Sequence, residues 1–217
     1  MDADSRKIPS HEVTYARLRD MILFGHLAPG APVTIQGLIA DLGAGMTPVR
    51  EAIRRLTAEG ALLPQGNRRV AVPQMSAGML DQVAFARLAI EPNLAARAAS
   101  RLTPAQIDRL EAIDAAVNRA IETGNLPDYL AANHAFHFAL YEAADAPVLV
   151  DLARSLWLRA GPSLRAVIDR FGRETAPDLH REALAAMRAG DAKALAAAIE
   201  RDIQQGVDHV RHSLSDR

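Results

Sequence analysis

Apolar residues in the first part of the chain recur at spacings of three and four, which is the period of an amphipathic α-helix. This pattern predicts three helices, over His11–Phe24, over the stretch VTIQGLIADL, and over Thr47–Glu59. Thr34 and Thr47 are the expected N-caps of the second and third helices, because a threonine hydroxyl can accept from a free N–H of the first turn. The short turn GAGM joins these two helices, so the pair predicts a helix-turn-helix.

The third helix has two different faces. Val49, Ile53 and Leu56 share an apolar stripe, whereas the other face is predicted to be basic. The arginines assigned to that basic face are Arg50, Arg54 and Arg55. In a helix-turn-helix the second helix enters the major groove of DNA, and a basic outer face suits that role.

The pattern changes to short β-type runs after this helix. Residues 61–64 and 68–72 flank Gln65-Gly66-Asn67, a cluster of turn-forming residues, and together they predict a hairpin. A hairpin directly after a helix-turn-helix is a wing, with Arg68 just past its tip, where it can reach phosphates or a narrow minor groove. Residues 8–74 are therefore predicted to form a winged helix-turn-helix domain.

The remainder of the chain is helical in pattern. Six helices are predicted, over Asp81–Arg101, Thr103–Gly124, Asp128–Ala143, Pro147–Phe171, Pro177–Ala189 and Asp191–His212. Pro92 is expected to kink the first of them, and Thr103 with Gln106 forms a capping box at the start of the second. Short loops join the helices, so residues 79–214 are predicted to form an antiparallel bundle of six or seven helices. The fold class is mainly α.

Composition and charge narrow the function classes. The chain has 49% apolar and 4% aromatic residues, which favours helices over a sandwich or barrel, and its lack of cysteine excludes disulfides and thiolate metal sites. The net charge of −1 makes no global case for nucleic acid, although Gly43–Val72 carries five Arg against two Glu. With no signal core and no apolar run of membrane-spanning length, we expect a soluble, cytoplasmic protein with no membrane partner.

Candidate chemistry lies in the helical region. Asn133 and His137 are one turn apart, so their oxygen and nitrogen can chelate one divalent ion from the same helix face. His180 lies near the inward residues of a later helix, and Asp202 lies near the apolar stripe of the last one. A carboxylate on an apolar face is costly without a partner, which can be an arginine, a histidine or a metal.

The sequence TPVREAIRRLTAEGALL followed by GNRRVAVPQM resembles the signature of the GntR family of bacterial transcription regulators, over about Glu12–Met75. The resemblance implies a winged helix-turn-helix that binds operator DNA as a dimer. By motif position it implies operator contacts from Thr47 and Arg50, a phosphate contact from Arg54, and a wing tip at Gly66 and Asn67.

The third helix, which is the recognition helix of the predicted helix-turn-helix, departs from the family pattern at its start. Many members have Ser/Thr-Arg just before the Thr-Pro pair, where this chain has Gly45 and Met46, and Gln36-Gly37 replaces a charged pair upstream. Fewer polar groups are therefore available for reading bases.

The helical region resembles the FCD domain of FadR-type members of the family. The resemblance implies a bound divalent metal, such as zinc, nickel or manganese, held by Asn133, His137 and His180, with Asp202 at a position where the family most often has histidine. It also implies a small carboxylate effector, which Arg87 would grip. The alternative for Arg87 is an ion pair with Glu91 on the helix surface.

These observations favour a dimeric, effector-responsive regulator, a repressor of palindromic operators, and not an enzyme. Its linker, residues 72–78, would transmit the change that the effector causes. A metal-dependent hydrolase built on the helical bundle is an alternative, with Glu142 or Asp128 as the general base. A metal-free regulator that binds an apolar or acyl effector is a third hypothesis.

Overall fold

The computed structural model describes residues 10–168 and 178–215. These residues divide into two compact units, with the division between Gln74 and Met75. The predicted helix ends at Phe171 and Pro177 lie outside the described residues, as does residue 8, where the DNA-binding domain was predicted to begin.

The N-terminal unit contains three helices and a small sheet. In chain order its elements are α1 (Ser10–Leu23), β1 (Pro32–Thr34), α2 (Ile35–Leu42), α3 (Met46–Ala58), β2 (Leu63–Pro64) and β3 (Arg69–Ala71). The sheet is antiparallel in the order β1-β3-β2, so the predicted hairpin forms and a third strand joins its far edge. No strand was predicted at β1, because Val33 and Thr34 were assigned to the start of the second helical stretch. Three residues beginning with proline are too short to show the strand period, and only pairing with β3 makes them a strand.

The helix caps agree with the sequence in one case and differ in the other. The Thr34 hydroxyl accepts from the Gly37 N–H at 2.9 Å and caps α2, as predicted. The prediction for Thr47 was wrong, because α3 begins one residue earlier and its N-cap is Gly45, which offers no side chain. Pro48 still lies within the first turn, where its missing N–H costs no intrahelical bond.

Arg55 also lies differently from the prediction. Its guanidinium pairs with Glu12 of α1 at 2.7 Å and lies 3.8 Å from the ring centroid of Tyr15. The Tyr15 hydroxyl in turn donates to Glu59 at 2.9 Å. Arg55 therefore joins α3 to α1 and is not part of the outer basic face. The apolar core beneath this contact consists of fully buried side chains, among them Leu18, Ile22, Leu38, Val49 and Leu56.

The C-terminal unit contains six helices in the part of the chain that the structure describes. They are α4 (Ala77–Ala99), α5 (Pro104–Thr123), α6 (Leu126–Glu142), α7 (Pro147–Ile168), α8 (Leu179–Ala189) and α9 (Ala192–Ser215). The long α4 packs most extensively against α9, while α5 packs against α6 and α8 against α9. The capping box is present, since the Gln106 side chain accepts from the Thr103 N–H at 2.9 Å and the Thr103 hydroxyl accepts in return. Helix α4 continues through Pro92 as one element.

The bundle core encloses a group of polar side chains. Phe136, Leu94 and Leu195 are fully buried, and several charged or polar residues lie at the same depth. Those buried polar residues of the bundle are Arg87, Glu91, Asp114, Asn133, His137 and His180. Buried polar groups must find partners, so this cluster marks the site of interest. None of the described helices is both long enough and apolar enough to cross a bilayer.

Candidate DNA-binding surface and metal centre

Helix α3 presents one exposed polar face. Thr47, Arg50 and Arg54 are all exposed and follow each other at spacings of three and four, so they share that face. Arg50 makes no hydrogen bond or ion pair within the described residues, so its guanidinium is available to a partner. Arg54 is bound in the free protein, because Glu51 accepts from its Nη2 at 2.6 Å and from its Nε at 3.0 Å.

The tip of the wing has an unusual backbone. Gly66, Asn67 and Arg68 have φ values of 65°, 45° and 57°, so three consecutive residues lie in the left-handed region. Glycine and asparagine tolerate this region, whereas arginine rarely adopts it. The Arg69 N–H donates to the Gly66 carbonyl at 2.9 Å and closes the turn. All three residues are exposed, so the turn presents Arg68 to solvent at the tip of the wing.

Three helices of the other unit bring two histidines and a carboxylate together. His137 lies on α6, His180 in the first turn of α8 and Asp202 on α9, and one ligand atom from each lies within 4.8 Å of the others. The His137 Nε2 is 3.1 Å from the Asp202 Oδ2, and the His180 Nε2 is 3.9 Å from the Asp202 Oδ1. Both histidines are buried. The structure thus brings together three of the four predicted metal ligands.

Asn133, the fourth predicted ligand, lies one turn before His137 on the same face of α6. It is buried, and its side-chain amide makes no hydrogen bond to the described residues. An amide oxygen is one of the ligands that divalent cations accept. Asn133 is thus available to complete the set.

The Nδ1 atoms of both histidines are hydrogen-bonded away from the cluster. His180 Nδ1 lies 2.8 Å from the Asp114 Oδ1, and a carboxylate only accepts, so Nδ1 carries the proton. His137 Nδ1 lies 3.0 Å from the Tyr141 hydroxyl, which donates to Glu91 at 2.7 Å. Metal-binding histidines in proteins show this arrangement, in which the outer ring nitrogen donates to an acceptor outside the ligand set.

The His137 Nε2 is a buried atom without a hydrogen bond among the described residues. The Asp202 oxygen is close to it, yet it lies off the direction in which an Nε2–H would point. Burial lowers the pKa of His137, and the nearby Asp202 carboxylate offsets this only in part. The imidazole is therefore neutral at pH 7, which is the form that binds a metal.

His180 responds to its surroundings in the opposite direction. Burial lowers its pKa, but the hydrogen bond to Asp114 and the negative charges of Asp202 and Asp114 outweigh burial, so the pKa of His180 is raised. Protons and metal ions therefore compete at this side of the cluster, because a ligand nitrogen must be unprotonated.

Arg87 forms a buried ion pair with Glu91. Its Nε lies 2.6 Å from the Glu91 Oε1 and its Nη2 lies 3.1 Å from Oε2, while the two side chains are only 6% and 0% exposed. The guanidinium also stacks on the Trp157 ring, 4.5 Å from its centroid. The alternative considered for Arg87 named the correct partner but placed the pair on the surface, because the spacing of four residues does not reveal which face of α4 is covered.

Three residues around the cluster were not predicted from the sequence to belong to it. They are Tyr141, Glu91, which accepts from Tyr141, and Asp114. Tyr141 had a detectable signal, since it continues the spacing of four that links Asn133 and His137. Asp114 had none, because its partner His180 is 66 residues away in the chain.

Comparison with known proteins identifies the family of this chain. The gntR family of bacterial regulatory proteins matches residues 11–72, and the FCD domain matches residues 82–205. The chain belongs to the gntR family and carries an FCD domain. It is a transcriptional regulator, as its named relatives are, and not an enzyme. This excludes the hydrolase alternative.

Its relatives cover nearly the whole chain. The HTH-type transcriptional regulator McbR of Escherichia coli K12 is 29% identical over 194 residues, which are 88% of this chain and 87% of McbR. The transcriptional repressor RspR of the same strain is 27% identical over 94% of this chain and 90% of its own. The solved structure of E. coli McbR/YncC superposes with a TM-score of 0.87, at 25% identity, over 95% of this chain and 99% of that one.

Proposed function

We propose that this regulator is a repressor that binds palindromic operator DNA as a homodimer in the cytoplasm, and that a divalent metal and a small carboxylate effector bind in its helical bundle. The observation that supports the metal best is the buried His137 Nε2, which lies 3.1 Å from a carboxylate oxygen without forming a hydrogen bond. A buried polar atom without a partner is rare, and a cation beside it would satisfy it.

The proposed DNA contacts come from two parts of the N-terminal unit. Arg50 and Thr47 on the exposed face of α3 read the operator, and Arg54 contacts phosphate once it leaves Glu51. The wing residues Gly66, Asn67 and Arg68 contact the backbone or the minor groove beside it. Repression is supported by relatives, since RspR and a probable D-xylose utilization operon regulator of Paenarthrobacter nicotinovorans are both named repressors.

Dimer formation is supported by exposed apolar side chains on α4 and α7, two helices that pack against each other. Phe85 on α4 is 78% exposed, and Val148 and Leu152 on α7 are 72% and 48% exposed. Large exposed apolar residues mark interaction sites, and a second copy would cover them. A two-fold dimer would also match the symmetry of a palindromic operator.

The donor set suits a first-row divalent metal. Two imidazole nitrogens, the Asp202 carboxylate and the Asn133 amide oxygen are ligands that zinc, nickel and manganese accept. The bound metal would act as a Lewis acid toward an effector carboxylate. The protein residues would hold the ion in a buried position, orient the two imidazoles and exclude water.

The effector proposal assigns Arg87 a second partner. Arg87 is bound to Glu91 through Nε and Nη2, and a carboxylate effector would compete with Glu91 or use the other N–H groups of the guanidinium. Arg87 lies on α4, and α4 begins at Ala77, just after the division between the two units. Effector binding to Arg87 would therefore act on the helix that follows the linker directly in sequence. The effector acts only through different affinities for two states of the protein.

An apolar effector in place of a carboxylate has less support. A cavity between α4, α7 and α9 is lined mainly by apolar side chains, among them Leu80, Val83 and Val207, and also by Arg87, and it has a volume of about 10 Å³. That volume suits about one water molecule and does not accommodate an acyl chain.

Metal content tests the proposal directly. Protein purified without chelator and without a metal-affinity resin is compared with two variants, His137→Ala and His212→Ala. The exposed ring of His212 is hydrogen-bonded to the backbone carbonyl of Asp208 in its own helix, away from the cluster. We expect about one ion per chain in the wild type and in His212→Ala, and loss of the ion in His137→Ala. Equal metal content in all three proteins, or none in any, would contradict the metal site and leave the DNA-binding proposal standing.

A further inference from the structure

We propose that Tyr141 and Glu91 are positioning residues of the metal centre, which keep the ring proton of His137 on Nδ1 and so present an unprotonated Nε2 to the ion. The inference rests on the proposed metal site. It concerns two residues outside the ligand set and makes a statement about the metal-free protein, so it can be tested separately.

The argument begins with Glu91, which is fully buried on α4 and accepts hydrogen bonds on both oxygens. Arg87 donates to Oε1 at 2.6 Å and to Oε2 at 3.1 Å, and Trp157 Nε1 donates to Oε2 at 3.1 Å. A carboxylate paired with a guanidinium in this way is ionised and can only accept. Since the Tyr141 oxygen lies 2.7 Å from Oε2, the one hydroxyl proton of Tyr141 must point toward Glu91.

The direction of the next hydrogen bond follows. The Tyr141 oxygen lies 3.0 Å from the His137 Nδ1, and its proton is already used, so it accepts there and Nδ1 donates. The opposite arrangement would leave the phenol oxygen and the Glu91 oxygen 2.7 Å apart with no proton between them, inside the core. A buried contact of that kind is strongly unfavourable.

A neutral imidazole has one ring proton, so the proton on Nδ1 leaves Nε2 unprotonated. Asp202 favours the other tautomer, because its negative charge, 3.1 Å from Nε2, attracts a proton on that nitrogen. Glu91 therefore competes with Asp202 for the histidine proton, and it acts through Tyr141. His137 Nε2 makes no hydrogen bond to the Asp202 oxygen among the described residues, as expected if the ring proton is on Nδ1.

The second histidine shows the same arrangement by a shorter route. His180 donates from Nδ1 directly to Asp114 at 2.8 Å, and its Nε2 faces Asp202. Both imidazoles thus donate from Nδ1 to an acceptor outside the cluster, the Tyr141 oxygen for His137 and the Asp114 carboxylate for His180, and both direct Nε2 inward. Outer partners of this kind orient the ring and raise ligand basicity, and their loss lowers metal affinity by about 10–100-fold in characterised sites.

The test uses Tyr141→Phe, which removes one oxygen from a fully buried ring and leaves Glu91 bound to Arg87 and Trp157. Tyr15→Phe is the matched control, because it removes a hydroxyl that also donates to a glutamate, in the N-terminal unit. Metal-stripped proteins are titrated with Zn²⁺ or Co²⁺ against a competing chelator. We expect affinity to fall by about 10–100-fold in Tyr141→Phe and to stay unchanged in Tyr15→Phe.

A second measurement needs no variant of Tyr141. Nitrogen-15 NMR of histidine-labelled, metal-free wild type near pH 8, with His137 assigned by comparison with His137→Ala, reports which ring nitrogen carries the proton. We expect Nδ1–H in the wild type and a shift toward Nε2–H in Tyr141→Phe. Nε2–H in the wild type would overturn the inference, and so would unchanged metal affinity in a folded Tyr141→Phe. If His137→Ala loses the metal and Tyr141→Phe keeps it, the inference alone fails; if His137→Ala keeps the metal, the proposed site fails.

Discussion

The carboxylate of Glu51 holds the guanidinium of Arg54 through two hydrogen bonds, at 2.6 and 3.0 Å, on the exposed face of α3. The hydrogen bond to Arg54 is the main reason that the pKa of Glu51 lies below its ordinary value, so Glu51 stays ionised at pH 7. The proposed DNA surface therefore carries an anion that binds one of its own cations. DNA phosphate and Glu51 compete for the same arginine.

Glu51→Gln should strengthen DNA binding. The change removes a negative charge that faces the phosphates and frees Arg54, so the plot of log affinity against log salt should steepen by about one unit. Fluorescence anisotropy with one duplex at several salt concentrations measures this slope. Glu142→Gln is the control, since it changes an exposed glutamate that is also paired with an arginine, Arg154, in the other unit. An unchanged slope in Glu51→Gln would mean that Arg54 does not reach the DNA.

Arg50→Ala should reduce discrimination between operator and unrelated DNA. The Arg50 side chain is exposed and makes no hydrogen bond or ion pair within the described residues, so the change breaks no polar contact among them. A lost base contact should cost about 1–3 kcal/mol on the operator and little on unrelated DNA. The same loss on both duplexes would instead indicate a phosphate contact. Competition binding with the two duplexes separates these outcomes.

Glu91→Ala should destabilise the helical bundle strongly. The change leaves the Arg87 charge buried without its partner, which typically costs about 3–5 kcal/mol. Glu142→Ala breaks an exposed pair with Arg154 and should cost less than about 1 kcal/mol. Urea unfolding followed by circular dichroism gives both free energies. Similar values for the two variants would contradict the burial of the Arg87–Glu91 pair.

Alkaline titration should show that the pKa values of all three tyrosines lie above the ordinary value. Burial, with the hydrogen bond and charge of Glu59, raises the pKa of Tyr15 to about 12. Burial and the charge of Asp202 raise the pKa of Tyr129, and burial and the charge of Glu91 raise the pKa of Tyr141. The folded protein should therefore show little phenolate absorbance near pH 10, whereas denatured protein should titrate there.

The same shift predicts a loss of stability in alkali. A raised pKa in the folded state favours the protonated phenol, so the stabilising contribution of Tyr15 is complete below about pH 10 and is lost as the pH rises through about 12. Tyr15→Phe should lose less stability than the wild type over this range. Thermal unfolding at stepped pH values measures the difference, and parallel curves for the two proteins would contradict it.

Phe85→Ser should shift the protein toward monomers. The side chain is 78% exposed on α4, so its replacement costs the monomer little but removes apolar area from the proposed dimer contact. Sedimentation at a series of concentrations measures the change in association. Val13→Ser, which changes an apolar residue of α1 that is 42% exposed, is the control. Association that is equal in both variants and the wild type would exclude this face as the interface.

Much of the fold could be predicted because its information is local. The three- and four-residue spacing of apolar positions marked the helices, Gln65-Gly66-Asn67 marked the wing turn, and Thr103 with Gln106 marked a helix start. These signals lie within a few residues of one another, and physical rules connect them directly to backbone geometry. The prediction failed at β1 and at the Thr47 cap, where pairing with a distant strand or a shift of one residue decided the outcome.

The candidate site was predictable in part for the same reason. Asn133 and His137 are one turn apart, so their shared face followed from helix geometry, and Asp202 was notable as an acid near an apolar stripe. What completes the site was not accessible in this way. Tyr141 meets Glu91 across 50 residues and His180 meets Asp114 across 66, and nothing local encodes either contact.

By itself, the sequence determined the kinds of elements, their order, the family signature and the residue types available for DNA and metal. Tertiary structure alone decided which polar groups became partners. Arg55 pairs with Glu12 of α1 and does not lie on the outer face of α3, and Arg87 pairs with Glu91 inside the bundle. The physical reason is that hydrophobic periodicity acts along one helix, whereas burial of a charge depends on which other helices cover it. A charged side chain that is covered must pair with whatever charge the packing brings near, and only the folded chain specifies that neighbour.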